Sequence, residues 1–156
     1  ITPYGTEAMH VLRAEKGFII VGQETDGSVT PIDLDMNWIV SKKKYDFIGK
    51  RALYRSDTIR EDRKQLVGIF TKDPNEVLEE GAQLVEKITP VPMEMVGHVT
   101  SSYYSPNLGR SIALALVKEG IKKKGLTIYA PMPNKTIEAE ITNPVFIDPS
   151  NERLST

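Results

Sequence analysis

The spacing of apolar positions changes part-way along the chain. Up to about Glu61 they fall in short, irregular groups, and from about Gln65 they recur in strand-like runs that alternate with polar residues over 126–142. In the first stretch Ala8, Met9, Val11 and Leu12 include an apolar pair four apart, Ala8 and Leu12. That spacing predicts a helix near residues 6–15, with Thr6 as its cap and Gly17 as its stop. Phe18-Ile19-Ile20-Val21 reads as a short buried strand, Thr25-Asp26-Gly27-Ser28 as a turn, and Trp38-Ile39-Val40 as another β-like run. Asp46 is placed to cap a helix over residues 47–60, with Ile48, Ala52, Leu53 and Ile59 facing inward.

The second stretch reads as strands at residues 66–70, 83–85, 97–104, 111–117, 126–129 and 136–142. Leu126, Ile128 and Ala130 alternate with Thr127 and Tyr129, and Ile137, Ala139 and Ile141 alternate with Glu138, Glu140 and Thr142. Period two marks half-buried strands. Turn formers separate them, among them Asp73-Pro74-Asn75, Glu80-Gly81 and Ser105-Pro106-Asn107. The expected fold class is α+β, a mixed segment over 1–63 followed by a small antiparallel β-barrel or sandwich over 64–156.

Composition narrows the function. With 156 residues the chain is long enough for a core without staples. Lys plus Arg is 20 against 21 for Asp plus Glu, a net charge of −1 that argues against general nucleic-acid binding and a polybasic membrane anchor. There is no Cys, which excludes a disulfide scaffold, a thiol nucleophile and thiolate metal sites, and which suits a reducing, cytoplasmic location. The longest apolar run, Ile112 to Val117, is far too short to span a bilayer. Nothing in Ile1-Thr2-Pro3-Tyr4-Gly5 looks like a natural beginning, so the chain is expected to be a piece of something longer.

Few residues carry candidate chemistry. The Gly-x-Gly-x-x-Gly and P-loop patterns are absent. Asp26, Asp33 and Asp35 crowd together without the order of a calcium loop, and no metal is expected. His10 and His98 lie far apart and read as hydrogen-bonded structural residues; Lys42-Lys43-Lys44 and Lys122-Lys123-Lys124 read as solvated loops, with weak attraction for phosphate or polyglutamate as the other reading. Ser101, Ser102 and Ser105 have no nucleophile setting. Trp38, the one Trp, is either a core residue or a flat face for a heterocycle. Arg13 either pairs internally with Glu7 or Glu15 or presents its fork to an anionic or pterin-like ligand. No catalytic residue is assigned.

The motifs then add a resemblance. Arg13-Ala14-Glu15-Lys16-Gly17, Gly22-Gln23-Glu24-Thr25-Asp26, Thr30-Pro31, Trp38-Ile39-Val40 and residues 46–53 resemble the aminomethyltransferase (glycine cleavage T-protein) family. Gly97-His98-Val99-Thr100-Ser101, Tyr104-Ser105-Pro106, Leu108-Gly109 and the run from Ser111 to Val117 look like that family's C-terminal barrel. Within it, residues 3–9, Val40-Ser41-Lys42-Lys43-Lys44 and residues 101–106 look most like the C-terminal part of the alpha subunit of heterotetrameric sarcosine oxidases.

The resemblance implies that residues 1–63 end a folate-binding domain and 64–156 form the T-protein barrel. It implies an oxidoreductase in which sarcosine is oxidised at a flavin elsewhere, and the methylene group passes to tetrahydrofolate to give 5,10-methylenetetrahydrofolate. Arg13 and Trp38 correspond to family positions beside folate; Arg153 is a weaker match for a late Arg there. FAD, FMN and NAD sites, the acidic catalytic residues, the rest of the alpha subunit and the other subunits would lie outside these residues, leaving them silent alone. The alternatives are a glycine cleavage aminomethyltransferase, or an assembly module of the same fold without folate work.

Overall fold

Alternating inward and outward residues over 64–142 build six antiparallel strands. In the computed structural model, which describes residues 3–154, these are β1 (Lys64–Thr71), β2 (Gln83–Leu84), β3 (Gly97–Ser105), β4 (Arg110–Lys118), β5 (Thr127–Pro131) and β6 (Thr136–Thr142). They form one sheet in the order β2-β3-β4-β1-β6-β5. Val85 and Tyr129 exchange backbone hydrogen bonds of 2.9 Å in both directions, joining the chain just after β2 to β5 and curling the sheet into a nearly closed barrel. Val67, Ile69, Val99, Ala113, Ala115, Val117, Ile128, Ala130, Ile137, Ala139 and Ile141 fill its interior. Ile128, Ala130, Ile137, Ala139 and Ile141 sit on the inward phase of the predicted alternation, although Leu126, placed inward by the sequence pattern, is exposed.

A second core lies on the outer face of β1 and β4. Leu66, Leu114 and Leu116 pack there against Leu34, Ile19, Val29, Met36 and Phe146. The segment carrying Ile19, Val29 and Leu34 is pinned to the barrel: Leu66 N–H donates to the Asp33 carbonyl at 2.7 Å, and Arg63 donates to both Asp33 oxygens at 2.9 and 2.7 Å. The Asp33 carboxylate, first by its hydrogen bonds, holds the Arg63 guanidinium above its usual pKa. One helix, α1 (Thr6–Glu15), packs against β3 and β4. It stops at Gly17, whose φ of +70° is the left-handed geometry that favours glycine after a helix, and a Cβ there would sit 2.7 Å from the Pro144 carbonyl oxygen.

The first 63 residues depart from the sequence pattern in four places. Gly5, not Thr6, caps α1, with no side-chain bond. Residues 18–21 are not a buried strand: Phe18 and Val21 are exposed, and Val21 makes only an isolated bridge to Thr25. Trp38 and Ile39 lie in a 3₁₀ turn, Asn37–Ile39, rather than a β run. The helix expected over 47–60 is a five-residue 3₁₀ turn, Lys50–Tyr54; Asp46 accepts a bond from its neighbour Phe47, and Ile48, Ala52 and Ile59 face outward. The reason is common to the last two. Among the described residues none of the apolar side chains there is buried, and propensity alone rarely holds a short helix in water.

Candidate ligand-binding site

Arg13 sits on the inward face of α1, where its neighbours are the 18–25 loop and β3. It is only 8% exposed. Its Nη1 donates to Glu24 Oε2 at 2.9 Å, and its Nη2 donates to Gln23 Oε1 at 2.8 Å and Ser101 Oγ at 2.6 Å. Glu24 is completely buried and fully engaged. Its Oε2 also accepts from Ile20 N–H at 2.7 Å, while its Oε1 accepts from Thr100 Oγ1 at 3.0 Å and Ser101 Oγ at 2.5 Å. The sequence had offered Glu7 or Glu15 as internal partners for Arg13; the structure pairs it with Glu24, eleven residues on.

A β-bulge makes this convergence possible. Consecutive strand residues normally point to opposite faces. The β3–β4 register shifts between Val99 and Ser101, because Val99 faces Ala115 while Ser101 faces Leu114. Thr100 is the extra residue, and the bulge turns both its hydroxyl and that of Ser101 onto one carboxylate.

Over this pair lies a more open polar rim. Tyr103 OH accepts from Arg13 Nη2 at 3.4 Å and donates to Glu80 Oε1 at 3.2 Å. The Arg13 guanidinium lies 5.8 Å from the Tyr103 ring centroid, and the His10 ring stacks on Tyr103 at 6.3 Å and 25°. Burial pushes the Tyr103 phenol above its usual pKa. Two buried nitrogens here have no protein partner, Arg13 Nε and His10 Nδ1. They belong to residues three apart on α1, hence on one helix face.

Glu15 forms a second buried knot. Its carboxylate accepts from Ser105 Oγ at 2.5 Å and Asn107 Nδ2 at 2.8 Å, and its carbonyl accepts from the N–H groups of Phe146 and Ile147. Beside it, Leu12, Lys16, Phe18, Asn107, Ile147, Asp148 and Arg153 line a mainly apolar cleft of about 290 Å³. Trp38 lies elsewhere, 79% exposed on its 3₁₀ turn, so it is not a core residue. No contact joins it to Arg13 among the described residues. Both buried carboxylates, Glu24 and Glu15, are engaged by donors, so the arrangement holds groups in place and presents surfaces.

Against known proteins, residues 64–148 match the model of the glycine cleavage T-protein C-terminal barrel domain. The chain belongs to the glycine cleavage T-protein family. The model of the GCVT N-terminal domain matches residues 1–44 of this T-protein-family chain. The sarcosine oxidase subunit alpha of Corynebacterium sp. (strain U-96) is 50% identical over 160 residues, covering 98% of this chain and 16% of that protein. An aminomethyltransferase of Listeria monocytogenes is 34% identical, covering 94% of this chain and 39% of that protein. The crystal structure of the glycine cleavage system aminomethyltransferase T from Bartonella henselae superposes with a TM-score of 0.76 at 25% identity, over 90% of this chain and 38% of that one. The chain thus spans 16% of the length of the sarcosine oxidase relative.

Among described residues of this T-protein-family chain, no helix is long and apolar enough to cross a membrane, and no group of three or more His, Asp or Glu is arranged to hold a metal. Asp33 is instead committed to Arg63, and Asp26 to Ser28. Sequence reasoning singled out Arg13 and named Glu15 only as a partner for it, and it did not single out Glu24 or Tyr103. Their partners lie up to 92 positions away, across the α1–β3 junction, where no periodicity could link them.

Proposed function

We propose that this chain supplies part of a tetrahydrofolate-binding site in a protein of the sarcosine oxidase alpha type. In this reading sarcosine is demethylated at a flavin elsewhere, and the methylene group is captured here as 5,10-methylenetetrahydrofolate. The 50% identity to sarcosine oxidase subunit alpha, against 34% to an aminomethyltransferase, favours this over the glycine cleavage reaction. The observation that carries a ligand role is Trp38: a lone indole, left open on a 3₁₀ turn, is a stacking face for a flat heterocycle. Arg13 is the second residue of the reading, because its Nε is a buried donor without a protein acceptor.

When bound, tetrahydrofolate supplies the nucleophilic nitrogens that take the one-carbon unit. The residues here bind and orient: in this reading Trp38 fixes the ring plane, and the Arg13–Glu24 pair keeps the α1–β3 junction rigid. FAD, FMN and NAD belong in this reading to the rest of the enzyme, along with the acidic residues that move protons, the remaining alpha subunit and the other subunits. The division falls at residues 63 and 64, and the location is cytoplasmic.

A second reading has its own observation. Both terminal nitrogens of Arg13 are engaged inside the fold, as an assembly module would use them. Calorimetric titration of the natural full-length protein with tetrahydrofolate separates the two. Saturable binding that weakens in Trp38→Ala supports the folate reading, and no binding leaves the assembly reading.

A further inference from the structure

The packed interior of the barrel is aliphatic, but one end of it is lined by hydroxyls. Three buried residues there, Thr71, Ser102 and Ser111, carry hydroxyls with no hydrogen-bond partner among the described residues. They stand on three neighbouring strands, in the order β3-β4-β1. Each is on the inward face. Thr71 lies two residues past Ile69, Ser111 two residues before Ala113, and Ser102 directly opposite Ala113, and both Ile69 and Ala113 belong to the interior core. The hydroxyls therefore form one polar layer on the inner wall.

The strands part where this layer lies. Ile69 pairs with Ala113, but the β1–β4 ladder does not continue to Thr71 and Ser111. Ser111 N–H donates instead to the Pro74 carbonyl at 2.6 Å, and the Thr71 carbonyl accepts from Arg110 Nη2 at 2.8 Å. The paired inward neighbours are small: Ala113 faces Ser102, and Ala139 faces Thr71. A cleft of about 320 Å³, lined among others by Thr71, Ala139, Lys72 and Arg110, opens beside the layer. Arg110 adds a further buried donor without a partner, its Nε.

We propose that this end of the barrel is a water-binding site, in which ordered water molecules bridge the hydroxyls of Thr71, Ser102 and Ser111. Buried polar groups are met either by protein or by ordered water, and an unmet hydroxyl is costly. Ser102 and Ser111 hold diagonal cross-strand positions, which stand about 7–8 Å apart, a span for a bridged contact rather than a direct one. The chemistry of the layer selects the ligand: its three side chains are uncharged and both donate and accept, which suits water over an ion. The site is on the opposite face of β3 from Ser101 and Tyr103, so it stands apart from the folate reading.

The test uses the natural full-length protein. A crystal structure that resolves ordered solvent should show water within hydrogen-bond distance of at least two of the three hydroxyls. Hydroxyls that donate to protein carbonyls instead, or a side chain filling the space between them, overturn the proposal. Thr71→Val asks the same question in solution, because it nearly keeps the shape and removes the hydroxyl. If water is bound, losing its partner should speed amide exchange in β1 and β4, read by mass spectrometry, by about threefold or more. If the hydroxyl is merely unpaired, the apolar replacement slows exchange or leaves it unchanged, and that result overturns the proposal. Ser102→Ala, on another strand, should act in the same direction and carries the test if Thr71→Val does not fold.

Discussion

Glu24 receives four hydrogen bonds from three parts of the chain: α1, the 18–25 loop and β3. Removing one member of a buried ion pair costs about 3–5 kcal/mol, because the other charge is left unpaired. Glu24→Ala should therefore destabilise the protein by about that much in urea unfolding, and more than Glu76→Ala, whose ion pair with Lys135 is partly exposed. A loss under about 1 kcal/mol would show that the pair does not join α1 to β3. His98 supplies a pH signature. Burial first, then Lys64 with its Nζ 3.5 Å away, lowers its pKa below 6.5, with Asp26 opposing weakly. The unfolded chain then binds the proton more readily, so stability should fall as pH drops through about 6.5 toward the folded value. His98→Gln should flatten the melting-temperature profile between about pH 7 and 5.5 while leaving carboxylate-driven loss at lower pH. An unchanged slope would assign that pH dependence to other groups.

At the scale of elements, legibility followed burial. All six strands stood in the pattern: β5 and β6 alternate because one face meets the packed interior, while β1 and β4, buried on both faces, read as continuous apolar runs; the ends moved by a residue or two where ladder bonds outlast the apolar run. The helix α1 was legible for the same reason, since its inward face meets β3 and β4. Residues 47–60 carry a helix-like spacing, but none of them is buried among the described residues, so the spacing misled. The bulge at Thr100, and with it the Glu24 knot, left no trace in the sequence, because it is a property of how β3 meets β4. One glycine shows how tightly the elements close. A Cβ on Gly68 in β1 would lie 2.2 Å from the Asn143 carbonyl oxygen and 2.9 Å from the Phe146 ring. Gly68→Ala should cost about 1–3 kcal/mol or more in chemical denaturation, through overpacking against backbone that cannot yield. A neutral substitution would mean that residues 143–146 are not held against β1.

For the molecule as a whole, the barrel is a complete packed unit and the first 63 residues are not. The family relation was legible because its motifs are contiguous; the incomplete packing of residues 35–65 was not, because an apolar residue looks the same in sequence whether its cover lies within the chain or outside it. No described side chain pairs a free base with a nucleophile, so the isolated 156 residues should give no sarcosine-dependent peroxide and no folate-dependent turnover above background. Saturable turnover by the purified chain would contradict that. The folate role stands most directly on one titration: tetrahydrofolate binding by the natural protein, measured calorimetrically for the wild type, Trp38→Ala and Arg13→Lys, with melting temperatures taken on the same samples. Stacking and a charge-assisted hydrogen bond are each worth about 1 kcal/mol or more, so each folded variant should bind about five- to tenfold or more weakly than the wild type. Dissociation constants unchanged in variants that remain folded would contradict a folate site built on these two residues.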